Sequence, residues 1–461
     1  MTFQECELAI LRNAVDENEK ITGEKMANSE DVKKMIQIVE SFLMRKKRIC
    51  YGGTAINNIL PKYDQFYNRE IEIPDYDFFS DRALEDAKEL ADIYYEAGYA
   101  EVESKSGVHH GTFKVFVNFI PVADITYLDE TIYKAIQKEA ISRGGIKYAP
   151  PNFLRMSMYL ELSRPAGDVS RWEKVLKRLN LLNKHYPLKG DNCDKIDFQR
   201  DLENDAEKAE ELYFLVRDVF IEQGCIFFGG YASSMYSKYM SAAHQNKLRK
   251  IPDFDVLSEE PENCAVILRE HLNESGYKNV KQIKHEAIGE LIPERIEIRV
   301  DKETLAFIYK PIACHSYNTL VIGDKKVNVA TIDTMLSFYL AFIYSDKPYF
   351  HKSRILCMAQ FLFEVEETNR LEQKGLLKRF SIDCFGKQDT LETIRAEKTA
   401  KFRELSDKKG TREYEMWFLK YSPAQKTKQK PKTEKRKQNQ KKNGYKKNGT
   451  KKVRFMNLFR G

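Results

Sequence analysis

The sequence lacks the features that mark membrane, secreted and zinc-binding proteins. In 461 residues, no stretch approaches the ~20 consecutive apolar residues that a membrane-spanning helix requires. The N-terminal residues lack the basic and then apolar layout of a secretory signal. The eight cysteines are scattered and form no C-x-x-C pair, which argues against a zinc ribbon and against a disulfide framework. We therefore expect a protein of a reducing compartment with no membrane partner.

Charge is divided unevenly between two parts of the chain. Residues 420–461 contain 16 basic residues and one acid, Glu434, and so carry +15. Residues 1–419 contain 60 basic and 68 acidic residues, and so carry −8. The basic segment is rich in Lys, Gln, Asn and Gly, which predicts a disordered tail. A run of positive charge of this kind binds phosphates without sequence preference, and the alternative is a localisation or solubility tail.

Length and an internal repeat predict two domains of the same fold. The chain is too long for one ordinary domain, and 42% of it is apolar, which is enough for two cores. The sequence RICYGGTA (48–55) returns as CIFFGGYA (225–232), and IPDYDFFS (73–80) returns as IPDFDVLS (251–258). The offsets of 177 and 178 residues are nearly equal, which indicates a tandem duplication of one α/β unit. The polar, turn-rich segment 186–203 is the predicted boundary.

A third matching element distinguishes the two copies. The sequence PVADITY (121–127) aligns with PIACHSY (311–317), so that Cys314 stands at the position of Asp124. The offset of 190 residues implies an insertion of about a dozen residues in the second copy. A thiol is a poor ligand for Mg²⁺. We expect the second copy to fold like the first and to be catalytically silent.

Three aspartates of the first copy have the pattern of a metal-dependent phosphoryl-transfer site. In the sequence Asp75-Tyr76-Asp77, the carboxylates at i and i+2 of a strand point to the same face, where they repel each other unless a divalent cation lies between them. Asp124 follows an alternating strand and can supply a third oxygen ligand. Two Mg²⁺ or Mn²⁺ ions held in this way, ~3.5–4 Å apart, activate an attacking hydroxyl and stabilise a leaving phosphate.

Gly52 and Gly53 come directly after a strand and before a predicted helix. Glycine at this place lets backbone N–H groups approach a triphosphate closely, and the Thr54 hydroxyl can donate a hydrogen bond to a phosphate oxygen. Each motif alone is weak, because a Gly-Gly pair is usually a turn and a D-x-D pair is more often a solvated strand edge. The glycines followed by D-x-D and then by an apolar-flanked aspartate form a far more specific set.

These motifs resemble the polymerase-β-type nucleotidyltransferases. More narrowly, they resemble the poly(A) polymerase catalytic subunit of large nucleocytoplasmic DNA viruses, the group of giant viruses and poxvirus relatives, in the segments YGGTAI (51–56), PDYDFFS (74–80) and VADITY (122–127). The resemblance implies an α/β (α+β) fold with two tandem nucleotidyltransferase-like domains, each a mixed sheet flanked by helices, followed by the disordered basic tail. The expected ranges are 1–187 for the catalytic domain, 188–419 for the degenerate domain and 420–461 for the tail.

The resemblance also implies an activity and its ligands. The three aspartates would bind Mg²⁺ or Mn²⁺ in a two-metal site, and Gly52, Gly53 and Thr54 would lie against the triphosphate of ATP. The reaction would add AMP from ATP to an RNA 3′ end and release pyrophosphate. The expected partners are RNA and ATP, with either a second copy of the chain in a homodimer or a viral partner subunit. The expected location is the cytoplasm of an infected host cell, at the viral factory, with the virion as a second place.

Two further residues and two rival functions complete the sequence interpretation. Lys147 and Arg155 follow the catalytic strand and could steady the triphosphate, although for each alone a solvated helix charge is the commoner case. A signal-nucleotide synthase or a tRNA 3′-end-adding enzyme on the same fold shares the three-carboxylate pattern, so the motifs leave these enzymes open. A non-catalytic RNA-binding processivity subunit is the other rival, and the intact aspartates argue against it.

Overall fold

A computed structural model describes residues 2–68, 73–196, 206–240, 253–347, 349–369 and 371–428. Two mixed eight-stranded sheets, each flanked by helices, form this part of the chain, which confirms the predicted fold class. Across these ranges, no helix is both long and apolar enough to cross a membrane. Residues 429–461 of the predicted tail lie outside the described residues, as do Ile251 and Pro252 of the second motif.

The first sheet combines strands from the first third of the chain with one late strand. Its strands are β1 (Ile49–Cys50), β2 (Asp77–Ser80), β3 (Val102–Ser106), β4 (Thr112–Val117), β5 (Ile120–Tyr127), β6 (Ile141–Arg143), β7 (Ile146–Tyr148) and β16 (Lys420–Tyr421). Their order across the sheet is β16-β3-β4-β5-β2-β1-β7-β6. The pairs β2/β5 and β1/β7 are parallel, and the other neighbours are antiparallel.

Seven helices accompany this sheet in the chain. They are α1 (Phe3–Ala27), α2 (Glu30–Lys46), α3 (Gly52–Ile59), α4 (Ala83–Glu96), α5 (Glu130–Glu139), α6 (Pro151–Leu162) and α7 (Trp172–His185). Acidic residues begin helix α2 and basic residues end it, and its apolar residues lie on one buried face. It ends at Lys47, whose left-handed backbone (φ 54°) stops the helix and leads into β1.

The second sheet repeats the arrangement of the first. Its strands are β8 (Ile226–Phe228), β9 (Phe254–Leu257), β10 (Val280–His285), β11 (Arg295–Val300), β12 (Glu303–Tyr309), β13 (His315–Ile322), β14 (Lys325–Ala330) and β15 (Cys384–Phe385), in the order β10-β11-β12-β9-β8-β14-β13-β15. The parallel pairs are β9/β12 and β8/β14. Seven strands of each sheet therefore match in order and direction, as a tandem duplication requires.

The remaining described helices precede, alternate with or follow the strands of the second sheet in the sequence, and the last of them pack against the first sheet. They are α8 (Ala206–Glu222), α9 (Gly229–Tyr236), α10 (Pro261–Glu274), α11 (Ile332–Phe342), α12 (Lys352–Asn369), α13 (Leu391–Glu404), α14 (Arg412–Phe418) and α15 (Pro423–Lys428).

The sheet register corrects the alignment of the third element. On the first sheet Asp124 lies opposite Asp77, and on the second sheet Phe307 lies opposite Asp255. Phe307 is therefore the counterpart of Asp124, and the prediction that Cys314 fills this position is wrong. The offset between Asp124 and Phe307 is 183 residues, which is only five more than the offset of 178 between the two D-x-D motifs. Apolar residues alternate in several strands of this unit, so sequence alone does not decide which strand is equivalent.

Two disulfides join segments that are distant in sequence, so the prediction against disulfides is wrong. Cys193 is bonded to Cys357 across 164 residues, and Cys314 is bonded to Cys384 across 70 residues. The second disulfide joins the start of β13 to the edge strand β15, which pairs with it. No local spacing announces such pairs, because only the packing of the second domain brings their Cα atoms to 5.3 and 5.1 Å.

The C-terminal part of the described chain returns to the first sheet. Glu415 of α14 forms an ion pair with Lys88 of α4 (2.6 Å), and Arg412 of α14 forms one with Glu85 (3.0 Å). Strand β16 then pairs with β3 at the sheet edge, and α15 follows it. Residues 420–428, which the prediction assigned to a disordered tail, are thus a strand and a helix. The domain ranges 1–187 and 188–419 stay predictions.

Candidate active site

The glycine turn between β1 and α3 brings the backbone against the carboxylates. Gly52 has φ +70°, and a Cβ atom there would lie 2.8 Å from Oδ2 of Asp77. A Cβ atom on Gly53 would lie 2.6 Å from the Tyr67 hydroxyl and 2.9 Å from Nη1 of Arg178. Gly52 therefore favours a residue without a Cβ atom because of its backbone conformation, whereas the atoms beside Gly53 are the ends of side chains that can move.

The three aspartates meet where β2 and β5 run side by side. Asp75 precedes β2, Asp77 is its first residue, and Asp124 on β5 is the direct register partner of Asp77. The N–H of Asp124 donates to the carbonyl of Tyr76 (3.1 Å), which holds the two strands together at this level. Tyr76 itself is fully buried, so alternation along the strand turns its neighbours Asp75 and Asp77 to the opposite, open face.

Mutual repulsion and burial disfavour three ionised carboxylates in this space. Burial, followed by the charges of Asp75 and Asp124, raises the pKa of Asp77 to about 7. Burial and the charge of Asp124 also raise the pKa of Asp75. Lys114, whose ammonium group forms an ion pair with the Asp124 carboxylate, opposes both shifts. The cluster is thus a place where positive charge is favoured.

Hard oxygen donors of this kind fit Mg²⁺ or Mn²⁺ rather than a soft metal. In the described ranges, no three His, Cys, Asp or Glu side chains already stand as a closed metal site, and this includes the aspartates. The ammonium group of Lys114 is paired with the Asp124 carboxylate. The donor chemistry and the raised pKa values fit a divalent cation, which would compete with Lys114 for Asp124.

The structure gives Thr54 a different neighbour from the predicted phosphate. Its hydroxyl donates a hydrogen bond of 2.6 Å to the carbonyl of Asp75, and the residue is buried. Thr54 therefore anchors the backbone of the first aspartate to helix α3. A contact with the triphosphate stays a prediction for Thr54, as it does for Gly52 and Gly53.

The two weaker candidates differ in where the structure places them. Arg155 is fully buried in α6, where its guanidinium donates to the side chains of Asn183 (2.7 Å) and Asn152 and to the carbonyl of Tyr186. The prediction that Arg155 binds the triphosphate is wrong, because the side chain is fully buried and its guanidinium is bonded to these core groups. Lys147 is half-buried on β7, beside Ile49 of β1, and its contact with a phosphate stays a prediction.

Sequence reasoning missed Arg178, which lies beside the glycine turn. Its Nη2 donates to the Tyr67 hydroxyl (2.6 Å), and its guanidinium lies 4.9 Å from the centre of the Phe66 ring. The loop that carries these rings is fixed by Asn57, whose side-chain oxygen accepts the N–H groups of Phe66 and Tyr67. A cavity of about 110 Å³ adjoins this loop and Asp75. No spacing links Arg178, on helix α7, to Gly53, so only the fold reveals it.

The equivalent place in the second copy is closed. A Cβ atom on Gly229 would lie 2.2 Å from a side-chain oxygen of Asp255, so the glycine turn and carboxylate approach even more closely. Phe307, where the first copy has Asp124, is buried and packs its ring 5.2 Å from that of Tyr349. The cavity lined by the second glycines and aspartates measures about 30 Å³, and Tyr349 is among its lining residues.

The strand order, the glycine turn and the carboxylates on adjacent strands define the class: a nucleotidyltransferase-like domain, present twice, with a complete carboxylate set in the first copy. Comparison with known proteins narrows this class. The family model described as "Poly(A) polymerase catalytic subunit" matches residues 37–168, which contain all three aspartates and the glycine turn.

Relatives of known name come from large DNA viruses. A poly(A) polymerase catalytic subunit of African swine fever virus (isolate Tick/Malawi/Lil 20-1/1983) is 34% identical over 180 residues, which is 38% of this chain and 38% of that protein. One of Acanthamoeba polyphaga mimivirus is 33% identical over 161 residues, which is 33% of this chain and 26% of that protein. The match thus covers 38% of the length of the first relative and 26% of the length of the second. The resemblance inferred from the motifs is confirmed over the first domain.

A solved structure extends the likeness of fold to nearly the whole chain. The crystal structure of the Megavirus polyadenylate synthase superposes with a TM-score of 0.78, covering 94% of this chain and 88% of that one. At 19% sequence identity this likeness concerns the fold. It supports the two-sheet architecture as a shared one.

Proposed function

We propose that this protein is a polynucleotide adenylyltransferase that adds AMP from ATP to the 3′ end of RNA, which makes it a poly(A) polymerase. The observation that carries the proposal is the register of Asp124 with Asp77 beside the Gly52 turn, in only one of two otherwise matching sheets. The family model that covers this segment supports the choice of adenylyl transfer within the class.

The chemistry follows from the charges of the site. Asp75, Asp77 and Asp124 would hold Mg²⁺ or Mn²⁺, which when bound lowers the pKa of the RNA 3′ hydroxyl and stabilises the leaving pyrophosphate. The hydroxyl oxygen forms a bond to the α-phosphorus of ATP, and the bond from that phosphorus to the bridging oxygen of the β-phosphate breaks. The reaction is a direct displacement at phosphorus without a covalent intermediate on the protein. The protein therefore contributes position and charge.

The triphosphate would lie against the glycine turn. Gly52 and Gly53 place no side chain of their own in its way, and the guanidinium of Arg178 stands beside the second glycine with its positive charge. Arg presents several N–H donors in a plane, which suits phosphate oxygens. The cavity beside Asp75 is bordered by Asn57 and Asn58 and would take another part of the nucleotide.

The partners and the location are part of the same proposal. The viral relatives are named as catalytic subunits, which supports assembly with a partner subunit, and a homodimer is the alternative. RNA and ATP would be the substrates, and the cytoplasm of an infected cell, with the virion as a second place, would be the location.

One incubation series tests the proposal. The full chain is mixed with a short RNA primer, Mg²⁺ or Mn²⁺, and each of the four nucleoside triphosphates in turn, and products are resolved by length. The expected result is a long homopolymer with ATP alone. Cyclic or very short products would instead support a signal-nucleotide synthase or a tRNA 3′-end-adding enzyme, and no consumption of any triphosphate would support a non-catalytic subunit.

A further inference from the structure

The open face of the first sheet carries one continuous row of charged side chains. Four successive strand pairings place Asp77 opposite Asp124, Asp124 opposite Lys114, Lys114 opposite Lys105, and Lys105 opposite Lys420. Directly opposed residues in a sheet point to the same face. The row therefore starts at the catalytic carboxylates and continues as three lysines across β4, β3 and β16.

We propose that the lysine row, defined as Lys114, Lys105 and Lys420, binds the phosphates of the RNA strand whose 3′ end enters the carboxylate site. The proposal rests on the proposed function and identifies the path of its polynucleotide substrate. Strands in a sheet are ~4.8 Å apart, so the row extends about 14 Å from the level of Asp124 to the sheet edge.

The lysines of the row are accessible to a ligand. The side chains of Lys105 and Lys114 are 45% and 38% exposed, and Lys420 is exposed at the edge. The residues that alternate with them, Val115 and Ser104, are fully buried on the other side of the sheet, which is covered by α4. The row thus lies on the face that α4 does not cover.

Placing lysines opposite one another costs stability. Like charges on directly opposed strand positions are destabilising, and this sheet contains two such pairs in succession. Within the row, Lys114 is compensated by Asp124, and Lys105 by an exposed ion pair with Glu103 (3.2 Å). Exposed ion pairs contribute little, so a phosphate can replace Glu103 as the partner of Lys105. A polyanion that spans the row would remove the repulsion.

The lysine row and the glycine turn lie on opposite sides of the aspartates, so each can bind a different anionic ligand. The glycine turn follows β1, which is on one side of β2, whereas the lysines begin on β4, beyond β5 on the other side. A triphosphate against Gly52 and a polynucleotide along the lysine row would therefore approach the aspartates from opposite sides. This geometry favours RNA over ATP as the ligand of the row.

The far end of the row offers an aromatic surface as well as charge. Lys105 lies 4.2 Å from the centre of the Phe116 ring, and Phe119, at the tip of the β4–β5 hairpin, is 84% exposed. Both rings, with Lys105 and Lys420, line a groove of about 390 Å³, and Glu101 and Glu103 also line it. Aromatic rings beside a basic track stack bases without sequence preference. The row then ends at Lys420, where the basic C-terminal segment of the sequence begins.

The test measures RNA binding without turnover. A fluorescein-labelled oligoriboadenylate is titrated with the full chain by anisotropy over a series of salt concentrations, with no ATP present. For Lys105→Gln/Lys420→Gln we expect the Kd to rise roughly tenfold and the slope of log K against log salt to fall by about 1.4, because each lost phosphate contact on a single strand removes ~0.7. Lys105→Arg/Lys420→Arg should bind as the unmodified chain does.

The matched control removes the same charge from helices of the same domain. Lys33 and Lys134 form exposed ion pairs within α2 and α5, outside the row. Lys33→Gln/Lys134→Gln should leave the Kd and the salt slope unchanged. An equal loss in this control, or unchanged binding in the row variant, would overturn the proposal. If the double variant does not fold, Lys105→Gln alone should reduce the slope by about 0.7.

Two further measurements distinguish the possible failures. A higher KM for ATP with unchanged RNA affinity in the row variant would mean that the lysines serve the triphosphate, and would overturn the proposal. If the unmodified chain extends no RNA with any triphosphate but the row variant still loses oligonucleotide affinity, the proposed function fails while the polynucleotide path stands.

Discussion

Seven strands of the first sheet match seven strands of the second in order and direction, but the surroundings of the paired aspartates differ between the two sheets. In the first, Asp77 faces Asp124 and the open side of the sheet, where Lys114 brings a positive charge. In the second, Asp255 faces Phe307, and aromatic side chains close the space. The glycine turn approaches the D-x-D carboxylates in both. The glycine turn and the D-x-D motif therefore occur in a closed site as well as in an open one. The two sites differ in the residue on the neighbouring parallel strand, which is Asp124 in the first sheet and Phe307 in the second.

The largest expected effect separates the two copies by activity. Asp75→Asn/Asp77→Asn should reduce RNA tailing by a factor of about 10³ or more, because it removes the charges that hold the cations. Asp253→Asn/Asp255→Asn should leave most of the tailing. Primer extension with ATP checks both, with circular dichroism to verify folding. Loss of tailing in the second pair with an intact fold would contradict a silent second copy.

The next effect concerns the stability of the closed site. Phe307→Asp restores an aspartate at the counterpart of Asp124, but in a buried position beside Asp255. We expect a loss of about 3–5 kcal/mol in the free energy of unfolding, from the lost ring and the unpaired charge, and no second active site. Urea denaturation measures it. Val321→Asp, on an exposed position of β13, is the control and should cost less than about 1 kcal/mol.

A smaller effect tests whether Arg178 contributes to ATP binding in the first site. Arg178→Gln should raise the KM for ATP by about tenfold and leave the affinity for RNA unchanged, because a charge-assisted contact with a phosphate is lost. Its neighbour Lys177 is exposed and pairs with Glu173, so Lys177→Gln should leave the KM unchanged. Steady-state kinetics over a range of ATP concentrations distinguishes the two. A KM that is the same in all three proteins would remove Arg178 from the site.

The smallest effect concerns the basic tail. Deletion of residues 429–461 leaves β16 and α15 in place and removes most of the basic charge of the tail. Addition of a single nucleotide should be unchanged, whereas RNA affinity should fall by a few-fold to tenfold and its salt dependence should weaken. Anisotropy and single-turnover extension measure the two quantities. RNA affinity that is unchanged across the salt series would support the localisation alternative.

Local sequence was sufficient where a short segment carries both the structure and the chemistry. The range of α2 follows from its end charges and apolar face, and the glycine turn and D-x-D follow from β-strand alternation. Asp124 also lies within a strand, as its apolar neighbours in the sequence predict. Arg155 shows the limit, because an arginine close in sequence to a catalytic strand can lie at the surface or inside the core, and packing decides which.

The sequence by itself determined that one α/β unit occurs twice and that Asp75 and Asp77 share one strand face, because motif recurrence and strand alternation can be read locally. The register of β2 with β5 then placed Asp124 opposite Asp77. Tertiary structure alone decided that Phe307, and not Cys314, replaces Asp124, that Arg178 lies at the glycine turn, and that Lys420 extends the row of charge across the sheet. Each of these depends on hydrogen-bond register or helix packing between distant segments, and no local pattern encodes either.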